Sequence, residues 1–323
     1  MNKALLFLKG LAMGAADVVP GVSGGTIAFI TGIYEELIES INRINLEALR
    51  ILRKEGFAKA WDYINGWFFV PLFLGIGVSI VSLAKGISWL LENQPVLLWS
   101  FFFGLVFASI FFVGKQVKKW GLSPGLAFVL GAVIAYMITI LPASGSNDAL
   151  WYIFLSGSIA ICAMILPGIS GSFILVLLGT YSIVLNAIHE REFTIIAVFG
   201  AGAVVGLLSF ARLLKLMFAK YHDMTIALLS GFLLGSLNKI WPWKQVEEVL
   251  IKHAGEANEE IVPILEKTVM PSDFSRPILE GSEVIGQTAA DPQFWPAVGL
   301  AVAGAVLIFL LEKFGSGQSK KAA

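Results

Sequence analysis

The chain is 323 residues long, 57% hydrophobic and only 14% charged, and its 23 basic and 23 acidic residues cancel to a formal net charge of zero. A soluble domain carries about a quarter of its residues charged, and a mean hydropathy of +0.79 puts this chain in a bilayer instead. The single cysteine, Cys162, excludes an intramolecular disulfide and argues against a thiolate metal site, while His189, His222 and His253 have no ligand spacing, so no metal is expected.

The N-terminus has Lys3 and an apolar run but no small-residue cleavage signal, and reads as mature protein rather than a signal peptide. Crossing about 30 Å of hydrocarbon takes about 20 apolar residues. The first apolar segment, 4–41, is too long for one span and is broken by Pro20, Gly21, Val22, Ser23, Gly24, Gly25 and Thr26. In the polar stretch 42–66, Glu47, Arg50, Arg53 and Lys54 suggest an amphipathic surface helix, with Trp61, Tyr63 and Trp67 as an interfacial anchor. Spans are predicted at 67–91, 96–114 and 123–141. A second overlong segment, 150–188, is broken by Pro167, Gly168, Ile169, Ser170, Gly171 and Ser172, and spans follow at 193–218, 224–240 and 294–311. Between the last two lies 241–292, with ten acidic residues and four basic ones, Lys244, Lys252, Lys267 and Arg276.

The two breaks are copies, PGVSGG and PGISGS, 147 residues apart, and Gly32 and Tyr34 pair with Gly179 and Tyr181 at the same separation. Ser82, Lys85, Gly104 and Ser109 match Ser209, Arg212, Gly231 and Ser236 at an offset of 127, so the first copy carries about 20 extra residues, assigned to 42–66. The predicted fold class is an all-α polytopic membrane protein of two repeats, 1–145 and 146–323, each a broken or re-entrant helical hairpin plus three transmembrane helices. Lys and Arg concentrate on the cytoplasmic side of short loops. That side receives Lys3, the cluster from Arg43 to Lys59, Lys115, Lys118, Lys119, Lys215, Lys220, Lys313, Lys320 and Lys321, which makes both termini cytoplasmic and the acidic segment extracytoplasmic. An odd number of crossings per copy inserts the second copy upside down. Re-entrant and fully crossing hairpins return the chain to the same face, and the charges do not choose between them.

Proline and glycine inside a membrane segment stop the helix and free several N–H groups, each costing several kcal/mol if left in hydrocarbon. Gly21, Ser23, Gly24, Gly25 and Thr26, with Gly168, Ser170, Gly171 and Ser172, therefore form a candidate anion site where two broken helices meet; close helix packing through small residues is the competing reading. Lys85 and Arg212 occupy equivalent places in apolar spans and are candidate phosphate partners, against a reading in which they reach for the interface. Asp17 has Met164 as its counterpart and is a candidate proton or sodium coupling group, or a helix cap. Gly75, Gly77, Gly104, Gly200, Gly202 and Gly231 read as packing notches. Neither Ser23 nor Ser170 has a base beside it in sequence, so no catalytic residue and no cofactor is expected.

The stretches GAADVVPGVSGGTIAFITGIYEELI and MILPGISGSFILVLLGTY resemble the bacterial polyprenyl-phosphate (undecaprenyl phosphate) transporter family, over nearly the whole chain. The resemblance implies a multi-pass protein of the bacterial inner membrane that returns undecaprenyl phosphate, the carrier of cell-wall and surface polysaccharide synthesis, from the outer to the inner leaflet. Its expected partners are that lipid and the surrounding membrane lipids, with a homo-oligomer allowed and no nucleic acid. Residues 20–26 and 167–172 carry over as motif positions, whereas Lys85, Arg212 and Asp17 rest on physical reasoning alone. Rival readings are an ion-coupled transporter of another anion, a lipid phosphatase, which lacks a visible His, Asp and Arg cluster, and a scaffold whose acidic segment recruits a partner.

Overall fold

The computed structural model describes residues 2–19, 22–252, 260–280 and 283–319. The first broken segment is three helices, α1 (Lys3–Val18), α2 (Gly24–Ile30) and α3 (Tyr34–Asn42). Two short helices follow, α4 (Leu46–Glu55) and α5 (Phe57–Tyr63), then three long ones, α6 (Gly66–Asn93), α7 (Pro95–Gly114) and α8 (Leu122–Ile140). The second broken segment repeats the first as α9 (Leu150–Ile165), α10 (Gly171–Leu177) and α11 (Tyr181–His189), each boundary displaced by the same 147 residues. Both segments run 16, 7 and 9 residues. Each breaks twice rather than once: at the Pro-Gly-x-Ser-Gly turn and again at Gly32 (φ +71°) or Gly179 (φ +66°), where glycine adopts a left-handed backbone that side chains disfavour. At the second of these bends α10 and α11 meet at 110°. Sixteen residues of helix span about 24 Å, short of the ~30 Å of hydrocarbon, so α1 and α9 do not cross unaided.

Helix α12 (Phe193–Ser236) carries the predicted span 193–218 and all but the last four residues of 224–240, joined through a kink at Tyr221 (φ −136°, ψ 50°). Four hairpin strands then occupy the acidic segment, to which the sequence reading assigns no elements. They are β1 (Lys244–Lys252) paired antiparallel with β2 (Glu260–Thr268), and β3 (Ser275–Glu280) with β4 (Glu283–Ala289). The last helix is α13 (Phe294–Ser319). Among the described residues, α6, α7, α8 and α12 are long and apolar enough to cross a membrane. The membrane part is thus all helical, with the β-hairpins appended to it.

Lipid tails are as apolar as leucine, so helix association here relies on close packing rather than on escape from water. Glycines supply it reciprocally. A Cβ on Gly10 would strike the Leu72 carbonyl and one on Gly75 the Phe7 carbonyl, which locks α1 to α6. The equivalent positions Gly157 and Gly202 meet the carbonyls of Phe199 and Phe154 and lock α9 to α12, while Gly77 and Gly200 face open space. The third helix of each copy leaves its own copy. Helix α8 packs on the part of α12 beyond Tyr221 through Gly131 and Gly231, and α13 packs on α7 through Gly104 and Gly304. The two copies are interlocked rather than side by side. Outward side chains of α8 such as Val129, Leu130 and Met137 are about half exposed, as expected where the solvent is lipid. In α4 no residue is buried, and Leu46, Leu49 and Leu52 are exposed opposite its charges, which suits a helix lying in an interface.

Candidate functional site

Helix ends leave backbone donors and acceptors without intrahelical partners, and in an apolar interior these must be met locally. At the first break Ser23 caps α2: its Oγ accepts the Gly25 N–H at 3.0 Å and donates to the Met164 carbonyl at 2.8 Å, one of the open carbonyls at the end of α9. Thr26 Oγ1 accepts the N–H of Gly168 at 2.8 Å, in the second break. The Asp17 carboxylate accepts the Gly24 N–H at 2.6 Å, across the turn from α1 to α2. Ser23 and Thr26 are both buried, and a Cβ on Gly25 would sit 2.5 Å from the Ile165 carbonyl. The two breaks predicted to meet are therefore joined directly, each supplying what the other lacks. Gly21 lies outside the described residues.

The second break is less committed. Ser170 precedes α10 but makes no side-chain cap bond, and its Oγ pairs at 2.8 Å with the Oγ of Ser172, which is exposed. Gly168 has φ +88° and lies against Ser236 of α12. A closed crevice too narrow for a water molecule is lined here by Thr139, Gly168, Ser170, Phe173 and Lys239. Beside the first break opens a cavity of about 750 Å³. Asp17 and Gly25 reach it, and the rest of its wall is apolar, including Met13, Leu72, Phe73, Ile161 and Leu207 from both copies.

Lys85 and Arg212 are both exposed, and neither forms a hydrogen bond or ion pair with a described residue. Ile76 lines the cavity from α6, and Lys85 lies nine residues further on, about 14 Å along the axis. Arg212 lies five residues beyond the lining residue Leu207, about 8 Å along α12. The structure therefore bonds Asp17, Ser23 and Thr26 to glycines of the two turns, and places Lys85 and Arg212 further along α6 and α12.

A charged group at the second break was missed. Lys239 Nζ lies 2.9 Å from Glu266 Oε2 on β2, and Lys244 Nζ of β1 lies 3.2 Å from the same oxygen. Lys239 also stands 4.6 Å from the Phe173 ring centroid, and Lys244 4.2 Å from that of Trp99. Burial pushes the Glu266 carboxyl up, yet the ammonium groups of Lys244 and Lys239 outweigh this and hold it down to about 2. Burial pushes the Lys244 ammonium down to about 8 against the pull of Glu266. A lysine one residue before the end of the apolar run 224–240 was the available signal. Among the described residues no group of His, Cys, Asp and Glu is arranged to hold a metal ion.

Comparison with known proteins adds chain-wide likeness. Residues 13–258 match a family model described as undecaprenyl phosphate translocase-like. The chain is 45% identical over 314 residues to a polyprenyl-phosphate transporter of Vibrio cholerae serotype O1, covering 97% of each chain. It is 30% identical over 259 residues to a polyprenyl-phosphate transporter of Staphylococcus aureus, covering 74% of this chain and 87% of that one. No solved structure matches.

Proposed function

The chain belongs to the undecaprenyl phosphate translocase-like family, and from that premise we propose that it carries a polyprenyl phosphate, undecaprenyl phosphate in the first instance, across the bacterial inner membrane from the outer to the inner leaflet. The observation that carries this reading is the pair of bonds between the breaks, Ser23 to Met164 and Thr26 to Gly168, set beside an apolar cavity. Taking a phosphate headgroup through hydrocarbon unaided is prohibitive. A polar seam between two unwound segments lowers that barrier while the isoprenoid chain stays in lipid or in the cavity.

In this mechanism the headgroup meets the hydroxyls and N–H groups of the turns, chiefly at Ser170, Gly171 and Ser172, where among the described residues the two serine hydroxyls bond only to each other. Lys85 and Arg212, exposed and unpaired among the described residues, attract the headgroup on approach. With the second copy inverted, rocking of one copy against the other alternates access to the seam. Asp17 lies at the cavity wall with a carboxylate oxygen on Gly24, where a proton or sodium ion binding it couples a gradient to the opening of the first turn. The termini lie on the cytoplasmic side in this arrangement.

The test is reconstitution of the full chain in liposomes with labelled undecaprenyl phosphate. Protein-dependent exchange between leaflets, reduced in Ser170→Ala, is expected. Exchange equal to protein-free vesicles would overturn the reading, and transport of a soluble anion in its place would favour the rival transporter class.

A further inference from the structure

We infer that Lys239 and Lys244 form the cationic subsite for the phosphate headgroup at the second break, and that Glu266 is a built-in anion occupying this subsite until a phosphate monoester displaces it. The inference rests on the transport reading and names the charged partners that the two turns lack.

Placement comes first. Lys239 lines the same crevice as Gly168 and Ser170, and its ammonium lies 2.9 Å from Glu266 Oε2 and 4.6 Å from the ring centroid of Phe173 in the helix that follows the break. The three side chains are largely withdrawn from solvent, with exposures of 17% for Lys239, 7% for Lys244 and 15% for Glu266. Such burial is costly for charges unless they are matched. Among the described residues they are not matched, because two ammonium groups share one carboxylate oxygen and one positive charge is left over. Holding a hairpin in place needs only one lysine; the second repels the first. A phosphate monoester carries a charge of about −1.5 to −2 with three strong acceptor oxygens, so it balances both lysines where a carboxylate balances one.

Exchange needs little movement. Strand β2 is tied down independently of Glu266, since Thr268 Oγ1 donates to Asn238 Oδ1 at 3.0 Å and Trp241 Nε1 donates to the Val269 carbonyl at 2.9 Å. Rotation of the Glu266 side chain vacates the lysine pair without unpairing the strands. The carboxylate then acts as a competitor of the substrate within the chain, which keeps the lysines neutralised when no lipid is present and weakens lipid binding by the fraction of time that it stays.

Binding of undecaprenyl phosphate to the detergent-solubilised full chain tests this, with undecaprenol and inorganic phosphate as separate arms. Glu266→Gln is expected to bind undecaprenyl phosphate about tenfold more tightly than the wild type, and Lys239→Met about tenfold more weakly, while Lys239→Arg keeps most of the affinity. Undecaprenol binding should be the same in all of them. Wild-type binding that neither Glu266→Gln nor Lys239→Met alters would overturn the subsite and leave the transport reading standing. A wild type that neither binds nor moves the lipid phosphate overturns both. Inorganic phosphate binding that Lys239→Met weakens, with no such effect on the lipid, would overturn assignment to a lipid headgroup. If Lys239→Met does not fold, Glu266→Gln decides alone.

Discussion

The first break is closed chemistry and the second is open. Both come from one motif, yet Ser23, Thr26 and Asp17 spend their oxygens on N–H and carbonyl groups of the two breaks, whereas among the described residues Ser170 and Ser172 hold only each other. Two substitutions between the copies explain much of this. Thr26 is matched by Phe173, which loses the hydroxyl, and Asp17 by Met164, which loses the carboxylate. A repeat that is symmetric in backbone thus differs in its side-chain bonding: the first turn fastens the copies together through Ser23 and Thr26, and the second makes no side-chain bond of that kind among the described residues.

The strongest way to break this contrast is Gly25→Val. Its side chain would enter the space held by the Met164 and Ile165 carbonyls, and overpacking of this kind costs about 1–3 kcal/mol or more. Loss of transport and a lowered Tm are expected, measured by thermal shift on purified protein. Next comes a paired comparison. Ser23→Ala removes a cap and a bond between the copies, and should destabilise by about 1–2 kcal/mol. Ser170→Ala should leave Tm within about 1 °C, since a substitution away from such features stays within about 0.5 kcal/mol, yet lower lipid exchange severalfold. Equal Tm losses in the two variants would erase the distinction. Asp17→Asn sharpens it further, because the amide oxygen still accepts from Gly24 while the charge is gone. Stability should change little, and any dependence of exchange on a proton or sodium gradient should disappear; retained dependence would remove Asp17 from the coupling role. Arg212→Ala and Lys85→Ala should have the smallest effects. They should slow exchange by about two- to threefold and more at low ionic strength, as expected for exposed charges that steer rather than hold.

The duplication could be read directly, because identical residues at offsets of 147 and 127 do not depend on folding, and the helices of the two broken segments repeat at that first spacing. The second bend in each segment was marked by Gly32 and Gly179 but was not recognised as a bend, since one glycine in an apolar run is also compatible with continuous helix. The hairpins of 241–292 were not legible, because charged, proline-containing strands outside the membrane lack the clean alternation that marks a half-buried sheet. Lys85 and Lys239 are both lysines at the far end of an apolar run. Sequence symmetry pointed to Lys85 and Arg212, whereas the place of Lys239 beside the second break joins residues far apart in the chain, which repeat position does not report.

Sequence by itself determined that this chain belongs in a membrane, that it is a doubled unit, and where its helices must unwind, because hydropathy, repetition and the chemistry of proline and glycine are properties of the chain alone. Only the tertiary structure decided that α8 and α13 trade places between the copies, that Thr26 reaches Gly168, and that Lys239, Lys244 and Glu266 converge. Those contacts join residues far apart in the chain. They are selected by which glycine-lined faces fit and which orphaned polar groups find a partner, and nearest-neighbour patterns carry neither kind of information.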